Sequence, residues 1–224
     1  MAFNRIYCGF AGDLNIRNGK TSSAVLDMVD LWQASLRAGK PRTIFSNIKL
    51  IGIPYEPFNP ENIADVLETE NAIVLLDELH TIVHKNHRIT EHCTMHSVEG
   101  LCYRISEFLR QSGKRHIDTY STCQTFDDAQ YQMRVMMNVQ IYCELGHVNS
   151  GYWKKCEPLE YAEQECPKWH EHRVRQYVRP TRKPWMHHDK DITKVFNMYD
   201  SWEIVKGWIQ FSAEPESKQE KVGS

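Results

Sequence analysis

The sequence predicts a doubly wound α/β domain, in which a mostly parallel sheet carries helices on both faces. Two observations lead to this prediction. Strand-like and helix-like patterns alternate up to residue 145, which is typical of parallel sheets. Residues 73–76 read Ile-Val-Leu-Leu, and an aliphatic run without alternation is typical of a strand that is covered on both faces.

The individual elements follow in a regular order. A first strand is predicted at residues 5–10, and a helix extends from Lys20 to Leu36 before Gly39 and Pro41 end it. The strand at 139–145 alternates between apolar and polar residues, and we expect it towards one edge of the sheet. The other predicted elements are strands at 43–48, 72–77 and 117–123, helices at 97–111 and 127–134, and a loop at 54–61.

The composition is that of a folded globular protein. Of the 224 residues, 41% are hydrophobic and 25% charged, with a net charge of −2, which excludes disordered and fibrous classes. No stretch approaches the ~20 continuous apolar residues of a membrane span, so we expect a cytoplasmic protein, in the host cytoplasm or virion-associated if it is viral. The odd number of scattered cysteines predicts reduced thiols, several of them buried.

Three parts of the chain differ in character. Residues 1–146 carry the alternating pattern and are predicted to form the core domain. Residues 147–212 are rich in aromatic and basic side chains, and we interpret them as an extension packed on the core. Residues 213–224 are polar and predict a flexible tail.

A candidate phosphate site lies between the first strand and the first helix. A nucleoside triphosphate needs backbone amides around its phosphates, a cation on the β and γ oxygens and a hydroxyl on magnesium, and Gly19-Lys20-Thr21 supplies them in that setting. The usual spacing would place a glycine where Leu14 stands, so the loop is atypical. The alternative is a surface helix that merely begins with lysine. The candidate nucleotide-binding residues are Gly12, Asn18, Gly19, Lys20, Thr21 and Ser22.

An acidic pair follows the buried strand at residues 72–77. Asp77 is predicted to hold Mg²⁺ together with Thr21, and Glu78 to act as the base that activates the attacking water. The alternative is that the pair simply begins a helix, where acids are favoured by the helix dipole. The position downstream of Gly19-Lys20-Thr21 favours the chemical interpretation.

A polar residue also ends the next predicted strand. Parallel strands deliver their carboxyl ends to one edge of a sheet, so Gln124 is expected near the γ-phosphate or the lytic water. Taken alone, Gln124 is only a polar residue at a strand end. Its expected position close to Asp77 and Glu78 makes Gln124 a candidate catalytic residue.

Together these motifs resemble the FtsK-HerA superfamily of nucleic-acid-pumping ATPases, in particular viral genome-packaging members and zonula-occludens-toxin-like phage ATPases. The resemblance is carried by Gly19-Lys20-Thr21, Ser46-Asn47-Ile48, residues 73–78, residues 108–115 and Ser121-Thr122-Cys123-Gln124. It implies a RecA-like P-loop NTPase fold, with ATP and Mg²⁺ bound, and a homo-oligomeric ring, hexameric or pentameric, that moves double-stranded DNA. It also implies a capsid or portal protein as a further partner.

The same resemblance implies that Gln124 senses the γ-phosphate and that an arginine completes the site of a neighbouring subunit. It nominates Arg110 first and Arg115 second, with Arg134 as a further candidate. The alternatives are an assembly or secretion ATPase of the zonula-occludens-toxin type, a nucleotide kinase, and a non-enzymatic module with a degenerate site. Residues 195–203 resemble the tyrosine-aspartate segment near the end of some phage ATPase domains, and we assign them no chemistry.

The extension carries a basic and aromatic segment. Residues 168–190 hold seven Lys or Arg against two acids, interleaved with aromatic residues, which suits phosphate contact combined with base stacking. A solvated charged face or a docking surface for an acidic neighbour explains the same residues. Histidine and cysteine spacings include no paired motif, and we expect no structural zinc. The candidate nucleic-acid-binding residues are Arg173, Arg175, Arg179, Arg182 and Lys183.

Overall fold

The computed structural model describes residues 2–10, 18–83, 98–149, 152–155, 173–180 and 186–204. These residues contain one large sheet with helices on both of its faces. The strands are β1 Asn4–Gly9, β2 Ile44–Ser46, β3 Ile48–Leu50, β4 Glu56–Pro57, β5 Ile73–Leu76, β6 Asp118–Thr125, β7 Val139–Asn149, β8 Tyr152–Lys155, β9 Arg173–Pro180, β10 Met186–Asp191 and β11 Tyr199–Ile204. The helices are α1 Lys20–Arg37, α2 Ile63–Glu68, α3 Leu79–Ile82, α4 Val98–Ser112 and α5 Tyr131–Met136.

The large sheet is parallel in its centre and antiparallel on one side. Its strand order is β10-β9-β7-β1-β6-β5-β2-β4. The pairs from β7 to β4 are all parallel, whereas β9 runs antiparallel to β7, and β10 antiparallel to β9. β8 pairs with the end of β7, and β3 forms a separate two-stranded sheet with β11. The predicted α/β class with a mostly parallel sheet is confirmed.

Each face of the sheet has its own hydrophobic core. On one face, side chains of α2, α4 and α5 pack against alternate residues of the central strands, such as Val74 and Leu76. On the other face α1 packs against the residues between them, such as Ile73 and Leu75. The four aliphatic residues of β5 are therefore buried from both sides, as their lack of alternation predicts.

Two strand predictions need correction. The predicted strand at 43–48 is divided into β2 and β3 at Asn47, whose side chain hydrogen-bonds to the backbone of Asp77 at the end of β5. The expectation that 139–145 lies towards an edge is wrong, because β9 hydrogen-bonds to β7 from Val139 to Gly146. Arginine alternates with buried Val174 and Gln176 along β9, and sequence inspection did not recognise that period-2 pattern.

The extension and the core share the large sheet. β7 runs without interruption across residue 146, and β9 and β10 continue the sheet beyond it. The core and extension boundaries stay a prediction, and the tail at 213–224 lies outside the described residues. Within the described part, Cys8, Cys102, Cys123 and Cys143 are buried free thiols. None of the described helices has the length and apolarity needed to cross a membrane.

Candidate nucleotide-binding site

The first turn of α1 forms one side of the site. Gly19 precedes the helix in the left-handed region with φ +76°, and a Cβ at this position would lie 2.3 Å from Val174 Cγ2. Lys20 is only 4% exposed, so its ammonium is largely removed from solvent. Asn18 is also buried, and its side-chain oxygen lacks a partner. A helix start with free backbone N–H groups and a buried cation suits phosphate oxygens.

Asp77 lies at the carboxyl end of β5, facing the start of α1. Its Oδ1 accepts hydrogen bonds from Thr21 Oγ1 at 2.8 Å and from Thr122 Oγ1 at 2.7 Å. The backbone of Asp77 is held by Asn47, whose Nδ2 donates to the carbonyl at 2.9 Å and whose Oδ1 accepts from the N–H at 2.7 Å. Thr21 and Asp77, the two predicted Mg²⁺ ligands, thus lie in contact, two further residues hold the acid in place, and the Mg²⁺ role stays a prediction.

Glu78 adopts a conformation that is uncommon for a side-chain-bearing residue. Its backbone is left-handed at φ 53°, and its N–H donates to Thr122 Oγ1 at 2.8 Å. The carboxylate lies 3.2 Å from His80 Nε2. Strain of this kind, held by surrounding contacts, is typical of functional sites. The single hydroxyl of Thr122 therefore contacts both acids, one through its side chain and the other through its backbone.

Burial dominates the electrostatics of both acids. It raises the pKa of Asp77 to about 6, although the hydrogen bonds from Thr122 and Thr21 and the charge of Lys20 oppose the rise. Burial also raises the pKa of Glu78, and Lys20 again opposes it. Lys20 thus acts electrostatically on both acids, which places all three in one site. A base with a raised pKa accepts a proton more readily near neutral pH.

Gln124 lies at a β-bulge beside the end of β1. The ladder pairs Cys8 with Cys123 and then Gly9 with Thr125, so Gln124 is the extra residue of β6. A Cβ at Gly9 would lie 2.3 Å from Asn18 Nδ2 and 3.1 Å from the Gln124 carbonyl oxygen. A bulge redirects a side chain from the ladder, and this one occurs where β1 leads towards the candidate phosphate loop. The role of Gln124 stays a prediction.

The candidate trans arginines lie at different edges of the sheet. Arg110 is in the last turn of α4 and pairs with Glu107, while Arg115 follows it and pairs with Glu70, both near the amino end of β6. That end is opposite the strand ends that carry Asp77 and Gln124. Neither arginine therefore lies beside the acidic pair of its own chain, and a role in a neighbouring subunit stays a prediction.

Arg134 lies on α5, which follows the carboxyl end of β6. Its guanidinium pairs with Asp127 at 2.6 Å and lies over the rings of Phe126 and Tyr131. Arg134 is thus nearer than Arg110 and Arg115 to the edge that carries the acidic pair, and its role also stays a prediction.

The basic residues of β9 share one face of the sheet with aromatic side chains. Arg173, Arg175, Tyr177 and Arg179 alternate with residues that point towards α1. Arg175 makes two hydrogen bonds to Asp189, at 2.6 and 2.8 Å, and lies 4.3 Å from the Trp153 ring. This pairing neutralises part of the predicted positive surface. Arg182, Lys183 and, in the phosphate loop, Gly12 lie outside the described residues.

The oxygen ligands around Asp77 fit Mg²⁺. This ion prefers oxygen and is commonly bound through one or two carboxylates together with substrate phosphates and water. Thr21 Oγ1 and Asp77 Oδ1 are 2.8 Å apart, and burial raises the pKa of the carboxylate to about 6, an effect that a bound cation would oppose. No group of three or more His, Cys, Asp or Glu side chains suited to a metal occurs among the described residues, and residues 156–172 are not among them.

Comparison with solved structures identifies the fold. The N-terminal domain of zonular occludens toxin from Neisseria meningitidis superimposes with a TM-score of 0.55 at 15% sequence identity, over 89% of this chain and 100% of that chain. The chain has a RecA-like P-loop NTPase fold. The resemblance to zonula-occludens-toxin-like ATPases is therefore confirmed as a likeness of fold. The motifs that first indicated this resemblance end at residue 145, whereas the structural similarity covers 89% of the chain and therefore extends beyond that residue.

Two other solved structures are similar to this chain to a lower degree. The genome packaging NTPase of Sulfolobus turreted icosahedral virus 2, in complex with ATP-gammaS, gives a TM-score of 0.49 at 10% identity over 85% of this chain and 98% of that chain. A KaiC-like protein from Pyrococcus horikoshii gives 0.45 at 13% identity over 84% of each chain. No protein-family model and no curated protein sequence matches this chain.

Sequence reasoning missed three residues of the site. Asn47 and Thr122 occur in the motifs that carried the resemblance, but neither was given a role. Tyr199, on β11, reaches Ser22 of α1 with its hydroxyl. For Asn47 and Thr122 a signal was present in the sequence, because each is a polar residue that follows a run of buried strand residues. Asn47 comes directly after β2, and Thr122 lies near the end of β6, the two strands that flank β5. For Tyr199 no local pattern indicates a partner so distant in sequence.

Proposed function

We propose that the chain is an Mg²⁺-dependent ATPase that couples hydrolysis to the movement of double-stranded DNA. The observation that carries the proposal is the convergence of α1 and the end of β5. Thr21 Oγ1 donates to Asp77 Oδ1 at 2.8 Å, and the charge of Lys20 lowers the pKa of both Asp77 and Glu78. A hydroxyl, a cation and two acids at a strand-helix junction are the parts that phosphoryl transfer from a nucleoside triphosphate requires.

In this proposal the start of α1 holds the phosphates. The backbone N–H groups of the first turn and the Lys20 ammonium bind oxygens of the β- and γ-phosphates, with Asn18 and Ser22 beside them. Thr21 and Asp77 hold Mg²⁺, which when bound neutralises phosphate charge. Burial of Lys20 supports this role, because a buried ammonium is costly to keep charged and an anionic phosphate would offset that cost.

Glu78 is the proposed general base. Water attacks the γ-phosphorus, the new P–O bond forms as the bond to the β,γ-bridging oxygen breaks, and the water proton passes to the Glu78 carboxylate. ADP and inorganic phosphate are the products. The raised pKa of Glu78 favours this proton transfer, and Gln124 is the proposed residue that orients the water or the γ-phosphate.

Hydrolysis by the wild type beside two variants tests the proposal. With Mg²⁺ and DNA, Glu78→Gln should lower kcat by about 10²–10⁴-fold while nucleotide binding persists, and Lys20→Ala should weaken binding itself. Glu61→Gln, at an exposed position before α2, is the control. If the wild-type protein neither binds nor hydrolyses ATP, the proposal is wrong. Turnover without an added phosphate acceptor distinguishes the ATPase from a nucleotide kinase.

The DNA partner is supported by the exposed face of β9. Arg173 and Arg179 are exposed at its two ends, and Phe10, Tyr142 and Tyr177 form an aromatic cluster between them, with ring centroids 5.2 Å apart from Phe10 to each tyrosine. Cations beside aromatic rings suit sequence-tolerant contact with nucleic acid. Arg175 is held by the Asp189 carboxylate, whereas Arg179 hydrogen-bonds to Tyr142, a group without charge, so we expect the exposed Arg173 and Arg179 to contribute more to binding.

Salt-dependent binding to double-stranded DNA tests this surface. Replacing Arg173 and Arg179 by Gln should weaken binding and reduce the slope of log K against log salt by about 2, roughly one for each lost phosphate contact. Replacing the exposed Arg37 and Lys40 together by Gln, at and just after the end of α1, is the charge-matched control. An unchanged slope in the double variant would assign these arginines to a solvated face.

The ring and its trans arginine are tested by mixing subunits. Arg110→Ala and Glu78→Gln proteins should each be inactive, and their mixture should regain activity wherever an intact arginine meets an intact base across an interface. The same mixture with Arg115→Ala or Arg134→Ala identifies which arginine acts. Mixtures that stay inactive for all three variants would exclude these candidates.

A second candidate is an assembly or secretion ATPase of the zonula-occludens-toxin type. It is favoured by the fold likeness to the N-terminal domain of zonular occludens toxin, which covers 89% of this chain. Both candidates use the same ATPase chemistry. Strong stimulation of hydrolysis by double-stranded DNA favours the translocase, and hydrolysis indifferent to DNA favours the second candidate.

A further inference from the structure

Tyr199 connects the end of the described chain to the start of α1. It is the first residue of β11, lies opposite Leu50 of β3, and its hydroxyl is 2.7 Å from Ser22 Oγ. β3 itself follows Asn47, which holds the backbone of Asp77. The strand that carries Tyr199 is therefore anchored directly beside the acidic end of β5.

Ser22 is a sensitive position for such a contact. It is the third residue of α1 and follows Thr21, the hydroxyl that meets Asp77. The N-cap, Gly19, offers no side chain to fix the first turn, so that turn depends on contacts from outside the helix. A hydrogen bond at Ser22 restrains the rotation of the turn, and thereby the direction of its N–H groups and of the Thr21 hydroxyl.

The surroundings of the Tyr199 hydroxyl agree with this placement. Burial raises the pKa of Tyr199, the hydrogen bond with Ser22 opposes that rise, and the negative charge of Asp77 adds to it. The hydroxyl thus lies within electrostatic reach of Asp77, on the side of α1 that carries Thr21.

Other contacts from the same part of the chain reach the next positions of α1. Gln176 on β9 donates to Ser23 Oγ and, at 3.2 Å, to Asp27 Oδ2, and Lys190 on β10 pairs with Asp27. Within α1, Ser22, Ser23 and Asp27 thus meet polar side chains of β9, β10 and β11. These three strands hold α1 along one side.

We propose that Tyr199 is a positioning residue of the nucleotide site, acting through Ser22 on the first turn of α1. The inference rests on the proposed function and deepens it, because it makes the region beyond residue 170 part of the nucleotide-binding apparatus. Tyr199 orients Lys20 and Thr21 for the phosphates and Mg²⁺, and loss of its hydroxyl loosens that orientation while the ring still fills its place.

Tyr199→Phe tests the inference, because it removes one oxygen and keeps the ring. With a fluorescent ATP analogue and Mg²⁺, its Kd should rise about five- to tenfold, the effect of one lost hydrogen bond at a ligand-holding turn. Without Mg²⁺ the rise should be smaller, because the Thr21 hydroxyl is then not engaged by metal. The Mg²⁺ concentration at half-maximal binding should shift upward, and the thermal midpoint of the unliganded protein should stay close to that of the wild type.

Ser22→Ala provides an independent second variant. It should reproduce the loss, and the double variant should be no worse than either single one, because both remove the same contact. Tyr152→Phe, on β8 and 80% exposed, is the chemically identical control and should bind like the wild type. Additive losses, or a Tyr199→Phe protein with wild-type affinity and Mg²⁺ midpoint, would overturn the inference while leaving the ATPase proposal intact. A wild type that binds no nucleotide overturns both.

Discussion

Thr122 Oγ1 donates a hydrogen bond of 2.7 Å to Asp77 Oδ1, across the boundary between β6 and β5. The same oxygen accepts from the N–H of Glu78 at 2.8 Å. One hydroxyl therefore fixes the carboxylate proposed to hold Mg²⁺ and the backbone of the proposed base. The left-handed φ of 53° at Glu78 needs such support, since the conformation is unfavourable for a residue with a Cβ.

Thr122→Val should therefore damage hydrolysis more than nucleotide binding. Valine keeps the shape of the threonine side chain, but it leaves the Glu78 N–H without its acceptor and the Asp77 carboxylate without one of its donors. A displacement on the order of 1 Å can cost about 10²-fold in rate, so we expect kcat to fall about 10–100-fold while the nucleotide Kd changes less than about threefold. Thr122→Ser keeps the oxygen and should retain most of the activity. Equal turnover by the valine variant and the wild type would show that the hydroxyl has no catalytic consequence.

Gly19→Ala should destabilise the protein and abolish nucleotide binding. The position combines φ +76° with a Cβ that would lie 2.3 Å from Val174 Cγ2, so alanine meets backbone strain and a clash together. Gly39→Ala is the matched control, with φ +67° and no atom within 4 Å of the added Cβ. We expect the free energy of unfolding to fall by about 1–2 kcal/mol in the control, from backbone strain alone, and by more in Gly19→Ala. The measurement is urea denaturation, and equal losses would disprove the clash.

The central fold and the acidic pair were predictable because local patterns carry them. Buried parallel strands have unbroken aliphatic runs, as at residues 73–76, and the carboxyl ends of such strands share an edge. The structure brings Thr21 and Asp77, both predicted as Mg²⁺ ligands, into contact, and their role in holding the metal stays a prediction. The loop spacing at Leu14 falls outside the described residues and stays a prediction.

The antiparallel part was not predictable in the same way. β9 reads Arg-Val-Arg-Gln-Tyr-Val-Arg-Pro, and its inward side includes Gln176, a polar residue that hides the hydrophobic alternation. Gln176 is buried because it hydrogen-bonds to Ser23 and Asp27, partners about 150 positions away. Tyr199 depends likewise on Ser22. Contacts between polar residues that are far apart in the sequence produce no periodic pattern. The antiparallel strands and their contacts with α1 are therefore visible only in the structure.

Asp118→Ala should reduce stability without changing the nucleotide site. Asp118 lies at the amino end of β6, opposite the acidic pair, and pairs with Arg5 and Arg42 at 2.8 Å each. Removing it leaves two guanidinium groups without their shared carboxylate, and breaking a buried pair costs about 3–5 kcal/mol. Because both arginines keep some exposure, we expect the lower end of that range. Asp30→Ala, exposed on α1, is the control, and a changed nucleotide Kd in folded Asp118→Ala protein would contradict the separation of the two edges.

Protonation of Asp77 should make the stability of the folded protein depend on pH. Burial raises the pKa of Asp77 from 3.8 to about 6, so between these values the folded protein holds a proton that the unfolded chain releases. Stability from this group is therefore fully present below about pH 4 and is lost as the pH rises through 6, by roughly 3 kcal/mol in metal-free buffer. Asp77→Asn keeps an oxygen for Thr21 and Thr122 but carries no charge. Its stability relative to the wild type should rise by about that amount between roughly pH 4 and pH 7.

Saturating Mg²⁺ and ATP should make the wild type more stable than Asp77→Asn near neutral pH. The bound cation stabilises the ionised carboxylate of the wild type and adds little stability to the asparagine variant. The ligand-induced increase in the unfolding free energy should therefore be larger for the wild type, and it should shrink as the pH falls below 6, where protonation competes with the metal. Denaturant titrations of both proteins across this range, with and without ligand, measure both effects. A difference between wild type and Asp77→Asn that stays constant from about pH 4 to pH 7 in metal-free buffer would show that Asp77 is not protonated in the folded protein.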